Sequence, residues 1–158
     1  MKVNMVLYSH TGHTMRVGEL ISQVLHSNGI EVLINRLETV ERLNFQALSV
    51  RTKEIPLIEG YDVIILGTPV HGGRMSAPLR FFIDETPSFE NISFIVFATH
   101  LFRRGWGGTQ TIQSVRKLCE GKGGIFLGAA DVKWLSFFRG QEITHAVDDV
   151  WKFLKRSK

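Results

Sequence analysis

Nearly continuous apolar runs punctuate the chain: Val3 to Tyr8, Ile30 to Ile34, Val63 to Leu66, Ile92 to Ala98 and Ile125 to Ala130. Each has strand length, and apolar side chains on both faces are what a parallel sheet sheathed by helices requires. The pattern predicts five buried strands. Between them the period changes. Val17, Leu20, Ile21, Val24 and Leu25 fall at i, i+3, i+4, i+7 and i+8, and Ser27-Asn28-Gly29 supplies a stop, so the spacing predicts a first helix. Ile112, Val115, Leu118 and Cys119 repeat the stripe, as do Ile143, Ala146, Val147, Val150, Phe153 and Leu154 in the last helix. A shorter helix is expected with Ser76 as N-cap, Pro78 in its first turn, Leu79, Phe82 and Ile83 facing inward, and an end near Thr86-Pro87. From Leu37 to Gly60 the period is weak; Leu43, Phe45 and Leu48 predict a short helical crossover before Pro56. Alternating strands and helices with right-handed crossovers give an α/β fold, a three-layer α/β/α sandwich on a five-stranded parallel sheet. No linker or repeat divides it, so residues 1–158 form one domain.

Composition narrows the function classes. With 158 residues, 44% of them hydrophobic, the chain can bury a core. Its apolar runs fall far short of the roughly 20 residues a membrane-spanning helix needs. The net charge of +4 is mild and gathers at Lys152, Lys155, Arg156 and Lys158. No dense basic stripe or base-stacking platform speaks for nucleic acid. The single cysteine, Cys119, cannot make an internal disulfide and reads as helix packing, and no signal peptide is visible, so a reducing cytoplasm is the expected compartment.

In an open parallel sheet, ligands gather where chains leave the C-terminal ends of the strands. After the first strand comes Ser9-His10-Thr11-Gly12-His13-Thr14, running into a helix. Three hydroxyls around a glycine, with helix N–H groups aimed at the same spot, suit an anion such as phosphate. A Ser/Thr-rich N-cap turn is the plain alternative. The loop has no Lys or Arg, unlike the lysine-containing loop of triphosphate hydrolases.

Ser9-x-Thr11-Gly12-x-Thr14 resembles the phosphate loop of the flavodoxin family, Ser/Thr-x-Thr-Gly-x-Thr, in full. Tyr61 to Ser76 is similar to the family's third strand and the loop beside the flavin ring, and Gly67-Thr68-Pro69 followed by Met75-Ser76 resembles the NAD(P)H:quinone oxidoreductase branch. Thr99 to Gly108 follows the fourth strand, where the family holds the flavin's pyrimidine end. The resemblance spans the chain and implies sheet order 2-1-3-4-5 and non-covalently bound FMN. It assigns Ser9 through Thr14 to the phosphate and Thr68, Pro69, Val70 and His71 to the ring's surroundings. A peptide at Gly72-Gly73 would meet N5, where glycine allows a backbone flip. Thr99, His100, Leu101, Gly105 and Gly107 would frame the pyrimidine end, with Trp106 or Phe102 stacked on the ring. Trp134 and Trp151 read as structural.

Electron-carrying flavodoxins are acidic around the flavin, yet these three loops hold no Asp or Glu and carry Arg74, Arg103 and Arg104. Nearby cations lower the energy of negative charge on reduced flavin, so the expectation is a less negative second reduction step than acidic flavodoxins show. Four of the six histidines, His10, His13, His71 and His100, fall at this edge. His10-x-x-His13 with His71 leaves metal binding as a minor alternative, with no Cys or carboxylate to complete a ligand set.

Two redox functions follow from the resemblance. One is an FMN electron carrier needing no catalytic acid or base, served by a redox partner protein that the arginines would favour if acidic. The other is a flavoenzyme passing hydride from NAD(P)H to a quinone. The motif wording favours the enzyme. The short loop after the fourth strand favours the carrier, since the larger reductases hold an extra segment. A cofactor-free binding module is the third class, and the intact hydroxyl loop argues against it.

Overall fold

A computed structural model of the chain describes residues 1–43, 49–101 and 107–157. The elements run β1 (Lys2–Leu7), α1 (His13–Ser27), β2 (Glu31–Arg36), β3 (Val63–His71), β4 (Arg74–Met75), α2 (Ala77–Glu85), β5 (Ser93–His100), α3 (Gly108–Gly121), β6 (Ile125–Lys133) and α4 (Arg139–Arg156). Five strands pair in parallel in the order β2-β1-β3-β5-β6. This is the expected 2-1-3-4-5 arrangement, and the two-residue β4 adds an antiparallel hairpin on the end of β3.

Successive strand residues alternate between two apolar layers. Val3, Met5 and Leu7 of β1, with Ile65 and Phe97, pack against α1 and α4, whereas Val6, Tyr8, Leu66 and Val96 pack against α2 and α3. Both faces of β1, β3 and β5 are therefore buried, which is why these strands read as unbroken apolar runs. The outer strands differ from the expectation. β2 alternates exposed and half-buried positions, with Leu33 exposed, and Ile125 at the start of β6 is exposed, because each lies at an edge of the sheet.

Helix ends follow local chemistry. α1 stops in a Schellman motif: Gly29, at φ 75°, donates its N–H to His26 O, and Ile30 N–H reaches Leu25 O. Ser76 occupies the N-cap of α2, yet its side chain makes no capping bond; Thr68 Oγ1 instead lies 3.0 Å from Ser76 Oγ and accepts the Ser76 N–H. At the other end of α2, Lys122 Nζ donates to the carbonyls of Ile83 (2.7 Å), Asp84 (2.8 Å) and Thr86 (2.6 Å). A cation at a helix C-terminus satisfies orphan carbonyls and opposes the dipole. Cys119 is buried in the core, and burial above all raises its thiol pKa to about 12, so it packs and does not react.

The expected crossover helix between β2 and β3 is absent from the described part of that segment. Residues 37–43 and 49–60 run as an irregular strap, joined by a Thr39–Thr52 antiparallel bridge and by Val40 N–H to Arg51 O. The buried Asn4 side chain holds the strap by donating to Leu57 O and accepting from Asn35 Nδ2. Backbone groups pinned this way in extended form cannot join a helical ladder. Phe45 and Leu48 lie outside the described residues.

Candidate functional site

The loop after β1 is built around one residue that only glycine fills easily. Gly12 is the N-cap of α1 at φ 92°, in the left-handed region, and a Cβ placed there would meet nothing within 4 Å. The buried Ser9 hydroxyl accepts the Met15 N–H (3.1 Å), and Arg16 N–H closes onto Gly12 O (2.9 Å). The amides of His13 and Thr14, the first two of the helix, have no acceptor within it. Thr14 Oγ1 pairs with Thr99 Oγ1 of β5 at 2.8 Å, whereas Thr11 is exposed. Of the three hydroxyls, two are thus built into the fold and one faces outward. The loop lacks a cation in its own sequence, but Arg36 from the end of β2 donates to Ser9 O at 2.9 Å. An anion placed at this loop would therefore meet a cation from β2 as well as the neutral donors that the loop's own sequence offers.

The second motif is strand, not loop. β3 continues through Thr68, Pro69 and Val70 to His71, paired with β5 as far as Pro69 opposite Thr99. β1 pairing ends at Gly67, so the missing N–H of Pro69 costs no bond on that side. Gly72 and Gly73, at φ 55° and 78°, are the two positive-φ residues of a tight hairpin turn into β4. This turn leans on the N-cap of α3: a Cβ on Gly107 would lie 2.4 Å from Gly73 Cα. Thr99 and His100 likewise belong to β5.

Between these ends lies a hollow of about 160 Å³. His10, Thr11, His13 and Thr14 line one side, Pro69, Val70 and His71 a second, and Thr99, His100 and Leu101 a third. The structure brings together ten of the expected residues. Ser9 and Thr68 lie buried beneath them, and Gly12, Gly72, Gly73 and Gly107 shape the backbone without lining the hollow. Phe102, Gly105 and Trp106, like Arg103 and Arg104, fall outside the described residues.

Two participants come from β6 and the residue just after it, which the motifs do not touch. Trp134, expected to be structural, lines the hollow; its ring stacks on His13 at 4.0 Å and 12°, with the Arg139 guanidinium 4.9 Å from its centroid. Asp131 Oδ1 lies 2.9 Å from Nε2 of the buried His100, so a carboxylate does reach this edge, though from none of the three loops. Nothing local marks either residue; both arrive through strand register, Ala98 opposite Asp131 and His100 opposite Lys133. A larger groove, 690 Å³, runs between β6 and α4, but its lining sets three carboxylates, Asp131, Glu142 and Asp149, against the one lysine, Lys133, a balance unfavourable to a phosphate.

His71 meets Tyr8 and His10 edge-on, with centroids 6.2 Å away in each case. Burial, and secondly the charge of His10, lowers its pKa to about 4. The ring is neutral at neutral pH. A base whose native value lies below the ordinary value of about 6.5 favours the fold fully above that pH and loses the contribution as pH falls through the native value. A proton-NMR titration should therefore place the His71 midpoint near pH 4, and His71→Phe should remove part of the stability loss between about pH 6.5 and 4; a midpoint near the ordinary value would contradict this. Desolvation, then Arg139, also lowers the His13 pKa. Among the described residues no three His, Cys, Asp or Glu side chains are arranged to hold a metal ion.

No family model matches the sequence. Solved structures do match. A flavodoxin of Streptococcus pneumoniae TIGR4 superposes with a TM-score of 0.73 at 14% identity, covering 99% of each chain. Flavodoxin 2 of Bacillus cereus gives 0.69 at 17% identity and 99% of each chain, and the two-electron reduced flavodoxin of Megasphaera elsdenii gives 0.65 at 19%, covering 92% of this chain and 97% of that one. This chain has the flavodoxin-like fold. Its hydroxyl loop stands at the head of α1, where the first crossover of a flavodoxin-like sheet opens, and its hollow lies over the C-terminal ends of β1, β3 and β5. That is where an open α/β sheet presents ligands. The two glycine N-caps, Gly12 and Gly107, start α1 and α3 on opposite faces of the sheet at the same rim.

Proposed function

We propose that the chain binds FMN and carries electrons through it. The observation that supports this best is the meeting, at one rim, of the α1 N-terminus with its αL Gly12, the buried Ser9 and Thr14 hydroxyls, and a hollow with no carboxylate among its described lining residues. A phosphate monoester suits these donors: the first two amides of α1 and the hydroxyls of Thr11 and Thr14, which line the hollow, would hold it, with Ser9 bracing the loop beneath and Arg36 nearby as a cation. Pro69, Val70, Leu101 and Trp134 offer apolar surface for an aromatic ring, and His71 and His100 stand beside it. When bound, FMN supplies the one- and two-electron chemistry; the protein supplies placement and electrostatics. Of the arginines behind the expected less negative second reduction step, Arg74 is described, Arg36 adds a cation from β2, and the Asp131 carboxylate opposes them.

The test is direct. Purified protein freed of ligand should take up one FMN per chain, with quenched flavin fluorescence, and Thr14→Val, which loses a donor and the Thr99 bond, should weaken uptake about tenfold or more, in line with the loss of one charge-assisted hydrogen bond. A chain that takes up no FMN is not a flavin carrier. Steady NADPH consumption with a quinone would make it a reductase instead.

A further inference from the structure

The segment joining β6 to α4 is built unlike a turn of a water-exposed surface. Lys133-Trp134-Leu135-Ser136-Phe137-Phe138-Arg139 exposes Leu135 by 60%, Phe138 by 65% and Phe137 by 105%, so the Phe137 ring meets almost nothing of its own protein. Scattered apolar residues need no explanation, but three within four positions on one loop form a patch that calls for a partner. We propose that this loop docks the chain on an anionic lipid surface, with Leu135, Phe137 and Phe138 entering the interfacial layer.

Four observations favour lipid as the occupant. From residue 132 to 141 there are two cations, Lys133 and Arg139, and no acid. The first carboxylate beyond, Glu142, is turned back to accept the Lys133 N–H at 2.7 Å. The α4 N-terminus opens at the same place: Phe138 is its N-cap and gives no side-chain cap, and although Arg139 N–H is taken by Ser136 O (3.2 Å), the next amides, of Gly140 and Gln141, are left for a headgroup phosphate. Finally, the Phe137 and Phe138 rings project outward beside a hollow of about 400 Å³ that Trp134, Leu135 and Arg139 help line, and Trp134 at the base of the loop is a residue suited to the boundary between water and lipid. Aromatic and aliphatic side chains flanked by Lys and Arg are the chemistry of peripheral membrane attachment, and the cations add attraction to anionic lipid.

The patch continues into the site already described. Trp134 lines the hollow, its N–H donates to His100 O, and the next residue after His100, Leu101, is itself exposed. A docked chain would turn the mouth of the hollow toward the bilayer. The inference concerns attachment and does not rest on the flavin reading.

Co-sedimentation with vesicles tests it, using the full chain without cofactor. Vesicles of mixed phosphatidylglycerol and phosphatidylcholine should retain the protein, pure phosphatidylcholine vesicles should retain it at least tenfold less, and added salt should release it. Phe137→Ser/Phe138→Ser should lose retention at least tenfold with an unchanged melting temperature, since neither ring is buried. Failure of the wild-type chain to bind anionic vesicles, or equal retention of the double variant, overturns the proposal. A dimer in solution that the double variant abolishes, without vesicle binding, would give the patch to a second copy and overturn it too. FMN uptake measured separately keeps this outcome distinct from that of the cofactor reading.

Discussion

Gly107→Ala is expected to lower stability by about 2–5 kcal/mol. Gly107 caps α3 at φ 95°, where an L side chain costs roughly 1–2 kcal/mol. It also touches the hairpin turn, since a Cβ would lie 2.4 Å from Gly73 Cα and 2.7 Å from Gly73 C and O. Those are backbone atoms of a turn already committed by two positive φ values, so relief requires moving the turn as a body, and overpacking of this kind adds about 1–3 kcal/mol. Gly12→Ala is the control. Its φ of 92° is nearly the same, but its Cβ would enter open space, so only the conformational part, about 1–2 kcal/mol, should appear. Urea unfolding of both variants separates strain from contact. Equal losses would mean that the two glycine loops do not press on each other.

The second large effect belongs to Gly67, the last residue of β3 that pairs with β1. An alanine methyl would lie 2.4 Å and 2.6 Å from two ring carbons of Phe97 and 2.9 Å from Leu7 Cβ. The Phe97 ring is fully buried and cannot retreat freely, because Gly18 of α1 faces it on the other side, 3.7 Å from where that residue's Cβ would be. Two glycines, one on a strand and one on a helix, form the notch that seats one aromatic ring. Gly67→Ala should therefore cost about 1–3 kcal/mol, seen as a lower urea midpoint at constant slope. Adding Phe97→Leu, which shortens the ring, should recover part of the loss. Additive single effects would show that the ring does not fill that notch.

What could be read along the chain is what depends on neighbours in sequence. The stripes of α1, α3 and α4 are legible because 3.6-residue spacing is a local property, and β1, β3 and β5 are legible because burial on both faces leaves no polar alternation. The hydroxyl loop is legible for the same reason: Ser9, Gly12 and Thr14 lie within six residues. Gly67-Thr68-Pro69 carries turn-forming residues and reads as a loop, but it continues β3 because the β1 neighbour has already ended. Arg36, Asp131 and Trp134 left no local trace. Each reaches the rim by lateral strand order, and Trp134 meets His13 across 121 positions of sequence. The short helix expected around Leu43, Phe45 and Leu48 falls mostly outside the described residues; in the described strap the Thr39–Thr52 bridge and the Asn4 bond to the Leu57 carbonyl are long-range contacts that leave no local period to read.

The lysine at the end of α3 has a wider meaning. Because α2 and α3 both run away from the ligand rim, the three carbonyls gripped by Lys122 belong to the opposite end of the barrel-less sandwich, together with the Asp62 carboxylate that accepts the Lys2 amide. Anchorage and chemistry are housed at separate poles. Loops at the reactive pole can exchange residues, lengthen or take another guest while the fastening at the far pole stays as it is, which gives such a scaffold latitude to change its task without relearning how to fold.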